Sequence, residues 1–216
     1  IERQIPIFAI GGPTCSGKTE IALAVARAVD AEIVGADSMQ VYRGMDIGTD
    51  TPSREELCGI PHHMLSIVDP DEPYDAAAFA AGADEAIEGI AKRERRVVLV
   101  GGTGLYIRVL LKGLQGGPAP DPEVRRAITA RAQRMGWPAI HAELSNCDPE
   151  AARRLHPNDG VRILRALEVF LQTGVPLTSW QNRHGFSTRR YPFALIGVDR
   201  PKEELNARIE LRVDRM

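Results

Sequence analysis

The residues with the most evident chemistry are Gly12-Pro13-Thr14-Cys15-Ser16-Gly17-Lys18-Thr19. They fit the pattern G-x-x-x-x-G-K-[ST], which needs a strand before it and a helix after it to become a phosphate cradle. The glycines let backbone N–H groups curl around an anion, and a helix N-terminus adds partial positive charge. Lys18 can then reach a terminal phosphate, and the Thr19 hydroxyl can hold Mg²⁺. The loop implies a diphosphate or polyphosphate ligand without specifying ATP.

Further candidates sit at other strand ends. Asp37, in Ala36-Asp37-Ser38-Met39-Gln40, follows a short apolar run. In a parallel α/β sheet, ligands lie beyond the carboxyl ends of strands, so Asp37 falls near the phosphate loop. It suits a general base, an Mg²⁺ partner or a helix N-cap. Thr103 follows Gly101-Gly102 at the end of Arg96–Val100 and would point into the same crevice, although on their own these glycines read better as a tight turn. Arg162 and Arg165 share a helix face, with Arg165 placed to pair with Glu168. Arg208 and Arg212 lie on a late helix where they can reach a leaving phosphate or make i,i+4 pairs, Glu204 with Arg208 among them. His62 and His63 lie near Cys58, but zinc is not expected, because no fourth ligand has suitable spacing.

The elements that must position these groups alternate. Ile5–Ile10, Glu32–Val34, Arg96–Val100 and Phe193–Val198 read as buried strands, and Gly17–Val29, Ala76–Lys92 and Leu105–Leu111 as helices; Pro201 opens another helix. That alternation predicts an α/β fold: a parallel sheet covered on both faces, a P-loop NTPase-like three-layer α/β/α core. The Gly/Pro stretch Gln115–Pro122 interrupts it, and only helical signals follow to about Arg190, with starts at Asp121-Pro122, Asp148-Pro149 and Asn158 or Asp159. The expected organisation is a core over 1–115, an α-helical insertion over 116–190, and a return to the core over 191–216.

Of 216 residues, 44% are apolar and 26% charged, which excludes a disordered chain and a disulfide mini-protein. No apolar run approaches a membrane span of about 18 residues. Three scattered cysteines, Cys15, Cys58 and Cys147, suit a reduced cytoplasmic setting. Aromatic residues are only 5%, so no stacking platform for single strands is evident. Charge is uneven: residues 1–112 carry net −6, whereas 113–190 carry net +4 with arginine as the only cation. Arginine forks suit phosphate, so the insertion is a candidate nucleic-acid surface beside its plainer reading as a solvated helical face. The chain opens at Ile1 and closes at Met216 within a helical pattern without a stop signal, and is expected to be a piece of a longer protein.

Taken together, GPTCSGKT, DSMQVYRGMDIGT, PHHMLSIVDP, VGGTGLYIRVLLKGL, DPEVR and HPNDGVRILRALEV resemble, in order and along essentially the whole chain, the tRNA dimethylallyltransferase (adenosine-37 isopentenyltransferase) family. The resemblance implies a transferase that moves a dimethylallyl group from dimethylallyl diphosphate to N6 of adenosine 37 in the tRNA anticodon loop, with Mg²⁺ as cofactor. The phosphate loop, Gly12 to Thr19, would hold the diphosphate. Asp37 would be the base, and Ser38, Met39 and Gln40 would complete a segment on the target nucleotide. Thr103 would line the channel where adenine and allyl group meet, and Arg212 would assist the diphosphate. Arg125 and the stretch Val161, Arg162, Ile163, Leu164 and Arg165 would contact tRNA. The expected partners are tRNA and the prenyl donor, with no membrane and a monomeric chain. The rival reading is a small-molecule kinase using ATP, which explains the phosphate loop but not a basic insertion of this length. A non-catalytic RNA-binding module would leave Gly12–Thr19 without purpose.

Overall fold

The computed structural model describes residues 4–113, 117–184, 186 and 188–214. The chain divides into two compact units, one formed by 1–113 with 188–216 and the other by 114–187. Among the described residues no helix is long and apolar enough to cross a membrane.

The first unit is built on a five-stranded sheet in the order β3-β2-β4-β1-β5, with every neighbouring pair parallel. Its strands are β1 (Ile7–Gly11), β2 (Ala31–Gly35), β3 (His62–His63), β4 (Arg96–Gly101) and β5 (Phe193–Gly197). The helices of this unit are α1 (Lys18–Val29), α2 (Asp46–Thr49), α3 (Ala76–Lys92), α4 (Gly104–Lys112) and α10 (Lys202–Val213). Side-chain alternation along the strands explains why both faces are covered. Ile10, Ile33, Val98 and Val100 pack with Ala22 and Ala26 of α1. The opposite parity meets the other helices: a Cβ on Gly11 would lie 3.6 Å from Ile107 of α4. Near-continuous apolar strands such as Val97 to Val100 are what a sheet buried on both faces requires.

Glu32 breaks that pattern. It is buried in β2, and Arg93 donates to both its oxygens at 2.8 and 2.7 Å while His63 Nε2 lies at 2.7 Å. The Arg93 hydrogen bonds, aided by His63, hold its carboxyl below the usual range despite burial. The histidine pair is thus divided: His63 faces Glu32, and His62 Nδ1 faces the carbonyl of Ile60 at 2.8 Å.

The second unit is helical: α5 (Pro122–Met135), α6 (Trp137–Cys147), α7 (Pro149–Arg154), α8 (Gly160–Thr173) and α9 (Leu177–His184). Three starts follow the capping residues legible in sequence. Asp121 accepts from Glu123 N and Val124 N, Asp148 from Ala151 N, and Asp159 from Arg162 N. The α8 helix ends at Gly174, whose left-handed φ of 68° suits a C-cap glycine. Ile128, Ile140, Leu144, Ile163 and Leu167 form the centre of its core. Gly160 is obligatory: a Cβ there would fall 2.4 Å from the Trp137 ring.

Candidate active site

The phosphate loop forms where β1 runs into α1. A Cβ on Gly12 would come within 2.5 Å of Val198 O and 2.9 Å of Ser16 Oγ, so backbone is pressed against backbone and only glycine fits. Cys15 and Gly17 take left-handed φ values of 61° and 92°, which curl the chain before Lys18. Gly17 occupies the N-cap position of α1 without a side-chain cap, so an anion can satisfy the first-turn amides. Lys18 Nζ donates to Pro13 O at 3.1 Å, folding over the loop. Burial pushes the Lys18 amine below its ordinary value; Asp37 opposes that shift, Arg212 adds to it, and Cys15 opposes it.

The ends of β2 and β4 are locked together. Ala36 N donates to Val100 O at 2.7 Å and Thr103 N to Ala36 O at 3.1 Å. A Cβ on Gly101 would lie 2.0 Å from Ala36 O, so the close approach depends on glycine. Asp37 is not a helix cap. Its Oδ1 accepts from Met39 N at 2.9 Å and Gln40 N at 3.4 Å, closing a turn. Thr103 Oγ1 accepts from Ser38 N at 2.9 Å and donates to Ser38 Oγ at 3.3 Å. Gly102 brings the β4 end against the phosphate loop, where an added Cβ would lie 3.5 Å from Gly12 O and 3.8 Å from Lys18 Nζ.

A cavity of about 750 Å³ opens over these strand ends, with Lys18, Thr19, Asp37, Gln40, Arg208 and Arg212 among its lining. Apolar Leu23, Leu57, Leu65 and Val100 line it too, so it offers both a charged and a hydrocarbon environment. Arg212 reaches across to donate to Thr49 O at 3.0 Å and to pair with Asp50 at 3.1 Å. Gln40 Nε2 donates to Asp50 O at 2.8 Å, so the Thr49–Asp50 turn links Gln40 to α10. The i,i+4 pairing open to both late arginines holds for Arg208 alone, which meets Glu204 at 3.2 Å. Thr14, Cys15 and Gly17 also line the cavity; Gly12, Pro13 and Ser16 support it, and Ser38 and Thr103 tie the two strand ends.

The RNA-contact candidates of the second unit divide in character. Arg125 pairs with the fully buried Glu168 through Nε at 2.7 Å and Nη2 at 3.1 Å, and Arg165 Nη1 meets the same carboxylate at 2.7 Å. Asp121 N adds a bond at 2.8 Å. Burial alone would raise the Glu168 pKa; the bonds from Arg125, Arg165 and Asp121 N outweigh it and hold the carboxyl low. Arg162 is exposed and meets Asp159 at 2.9 Å, and Val161 is 83% exposed. Leu164 is half-buried against the core. Ile163, expected to contact tRNA with the rest of its stretch, is 0% exposed and belongs to the core, so it has no surface to offer RNA.

Sequence reasoning missed three features here. Arg200 bonds the phosphate loop, the Thr49–Asp50 turn holds Arg212, and Glu168 occupies a core position. None had a local signal: at about 100° per residue Glu168 stands well away from the α8 face of Ile163, Ala166 and Leu167, yet it is buried.

Residues 40–216 match the family model described as IPP transferase, and residues 5–71 match that of Isopentenyl transferase. The chain is 49% identical to tRNA dimethylallyltransferase 1 of Pelobacter propionicus over 97% of its own length and 68% of that protein's. It is 50% identical to tRNA dimethylallyltransferase of Geobacter metallireducens over 100% of its own length and 70% of that protein's. Its fold is similar to the full-length tRNA isopentenylpyrophosphate transferase of Bacillus halodurans, with TM-score 0.64 and 38% identity, covering 98% of this chain and 66% of that one. It is also similar to a eukaryotic dimethylallyltransferase acting on tRNA, with TM-score 0.78 and 27% identity, covering 98% and 54% of the two chains. A phosphate loop and a strand-end carboxylate on one cavity, joined to this likeness along the chain, place the protein in the tRNA dimethylallyltransferase family of prenyl-transferring enzymes.

Proposed function

We propose that this chain transfers the dimethylallyl group of dimethylallyl diphosphate to N6 of adenosine 37 in the tRNA anticodon loop, releasing diphosphate. The observation that carries the reading is one cavity lined by the phosphate loop, Asp37 and Arg212, with apolar side chains beside them. Adenine N6 is conjugated with its ring and is a poor nucleophile. It needs a carboxylate to accept its proton, the role assigned to Asp37. The allylic carbon tolerates positive charge, so cleavage of its C–O bond can lead, provided the departing oxygen is stabilised. Loop amides, Lys18 and Arg212 take that role. Ser38, Met39, Gln40 and Thr103 hold the nucleotide beside Asp37. A stacked base cannot reach a recessed site, so the target flips out, at a cost of a few kcal/mol. Arg125, Val161, Arg162, Leu164 and Arg165 supply the tRNA contacts of the helical unit.

The donor set fits Mg²⁺. The Thr19 hydroxyl lines the cavity at the start of α1, and this ion binds through one or two protein oxygens with substrate phosphates and water completing its shell. When bound, it would add positive charge at the diphosphate. We place the protein in the cytoplasm and read it as a monomer.

The test is mass spectrometry of unmodified tRNA after incubation with protein, Mg²⁺ and dimethylallyl diphosphate. The expected outcome is a gain of one five-carbon unit on one adenosine. Transfer of phosphate from ATP to a small acceptor, without that gain, would replace this reading with a kinase.

A further inference from the structure

Arg200 is a cation on the phosphate loop that the transfer scheme does not use. It lies between β5 and α10, and its Nε donates to Ser16 O at 2.8 Å. Ser16 is fully buried. In a planar trans peptide, the carbonyl of one residue and the N–H of the next point in opposite directions. Whatever fixes Ser16 O therefore also fixes the direction of Gly17 N–H, and Gly17 lines the cavity.

This peptide needs an outside constraint. Gly17 has φ +92°, and glycine accepts either orientation of the peptide before it at little cost. A flipped Ser16–Gly17 peptide would turn a carbonyl, not an amide, toward an anion. A flip would also break the charge-assisted bond from Arg200, which is stronger than a neutral one. Arg200 is itself held at both ends. Its backbone N donates to Asp199 Oδ1 at 2.9 Å, and its Nη1 meets Glu204 Oε1 at 2.6 Å. The same Glu204 oxygen receives Arg208 Nε at 3.2 Å, and Arg208 lines the cavity. One carboxylate thus fixes both the loop-bracing arginine and a cavity arginine.

We propose that Arg200 is a positioning residue that holds the Ser16–Gly17 peptide in its anion-binding orientation, with Glu204 as its anchor, and so sets affinity for the diphosphate group. This rests on the proposed function for the identity of the donor, but not for the class of ligand.

The experiment is calorimetric titration of inorganic pyrophosphate, with Mg²⁺, into the wild-type chain and the variants Arg200→Gln, Arg200→Lys and Glu204→Gln. Steady-state constants and melting temperatures are measured in parallel. Arg200→Gln should weaken pyrophosphate binding and raise KM for dimethylallyl diphosphate, each by about tenfold, the scale of one charged hydrogen bond. KM for tRNA and the melting temperature should stay near wild type. Lysine keeps the charge but reaches only one of the two partners, so Arg200→Lys should fall between. Glu204→Gln should show a smaller loss of the same kind. Native pyrophosphate affinity in both Arg200 variants overturns the inference. So does a loss that appears equally in tRNA KM and melting temperature, which would make Arg200 a structural tie only. A wild-type chain that binds pyrophosphate and responds to these substitutions, yet transfers no five-carbon unit, supports the inference and sinks the functional reading instead.

Discussion

Thr103 Oγ1 accepts the amide hydrogen of Ser38 at 2.9 Å, which joins the loops that leave β4 and β2. Their sequence separation is 65 residues, yet this bond fixes the backbone immediately after Asp37. Thr103→Val keeps the shape and removes the acceptor. The expected result is a fall of about tenfold in single-turnover transfer, the scale of one unmade hydrogen bond, with rescue in Thr103→Ser. Native rates in the valine variant would remove Thr103 from the positioning of Asp37.

Asp37→Asn separates three roles for one carboxylate. Asparagine can still accept from Met39 N and Gln40 N, so the turn should survive. It cannot take a proton, and a lost general base typically costs about 10²–10⁴-fold in kcat. Donor and tRNA binding should stay nearly intact. Weaker donor binding that extra Mg²⁺ restores would make Asp37 a metal partner, and native kcat would reduce it to a turn residue.

The arginines of the helical unit should respond unequally. Each lost phosphate contact flattens the salt dependence of RNA binding by roughly 0.7–0.9 of a logarithmic unit. Arg162→Gln should show that change without loss of stability, because its pair with Asp159 is exposed. Arg125→Gln and Arg165→Gln should flatten the slope and lower the melting temperature together, since both hold Glu168. An unchanged slope in the triple variant would return all three to fold-supporting charges.

Glu168 gives the unit a pH dependence of known sign. Its folded-state pKa is depressed below an ordinary value of 4.5. The corresponding stability is therefore fully present above about pH 4.5 and is lost as pH falls toward the lower, folded value. Glu168→Gln should flatten the acid limb of unfolding. At neutral pH it should cost about 2–3 kcal/mol, less than a fully buried pair, because both arginines reach solvent. Urea titrations from pH 3 to 7 on both proteins check the two effects.

Much of both units is legible in sequence because their information is local. Val97 to Val100 reads as a strand from composition alone, and Asp121, Asp148 and Asp159 announce helices within three residues of their caps. The two-residue β3 carries no periodicity, and α6 has no side-chain cap at Gly136, so its start is marked by Pro138 alone. At the site, Lys18 and Asp37 are legible from motif and strand-end position. The partners of Arg212 are not, since Thr49 lies 163 residues away along the chain. Nor does spacing reveal that Glu168 answers two arginines, because Arg125 is 43 residues distant.

The strand order has a metric consequence. The phosphate loop leaves β1, Asp37 leaves β2, and β4 lies between them. Hydrogen-bonded strands stand about 4.8 Å apart, so the roots of the loop and of Asp37 are separated by roughly 10 Å, two rungs of the sheet. That span acts as a ruler cut into the backbone. Exchanging lining side chains can reshape the cavity or change its affinity, but it cannot lengthen the ruler. Redesign for a bulkier donor would therefore have to direct the added carbons sideways, toward Leu57 and Leu65, and leave the interval between the two strand ends as it is.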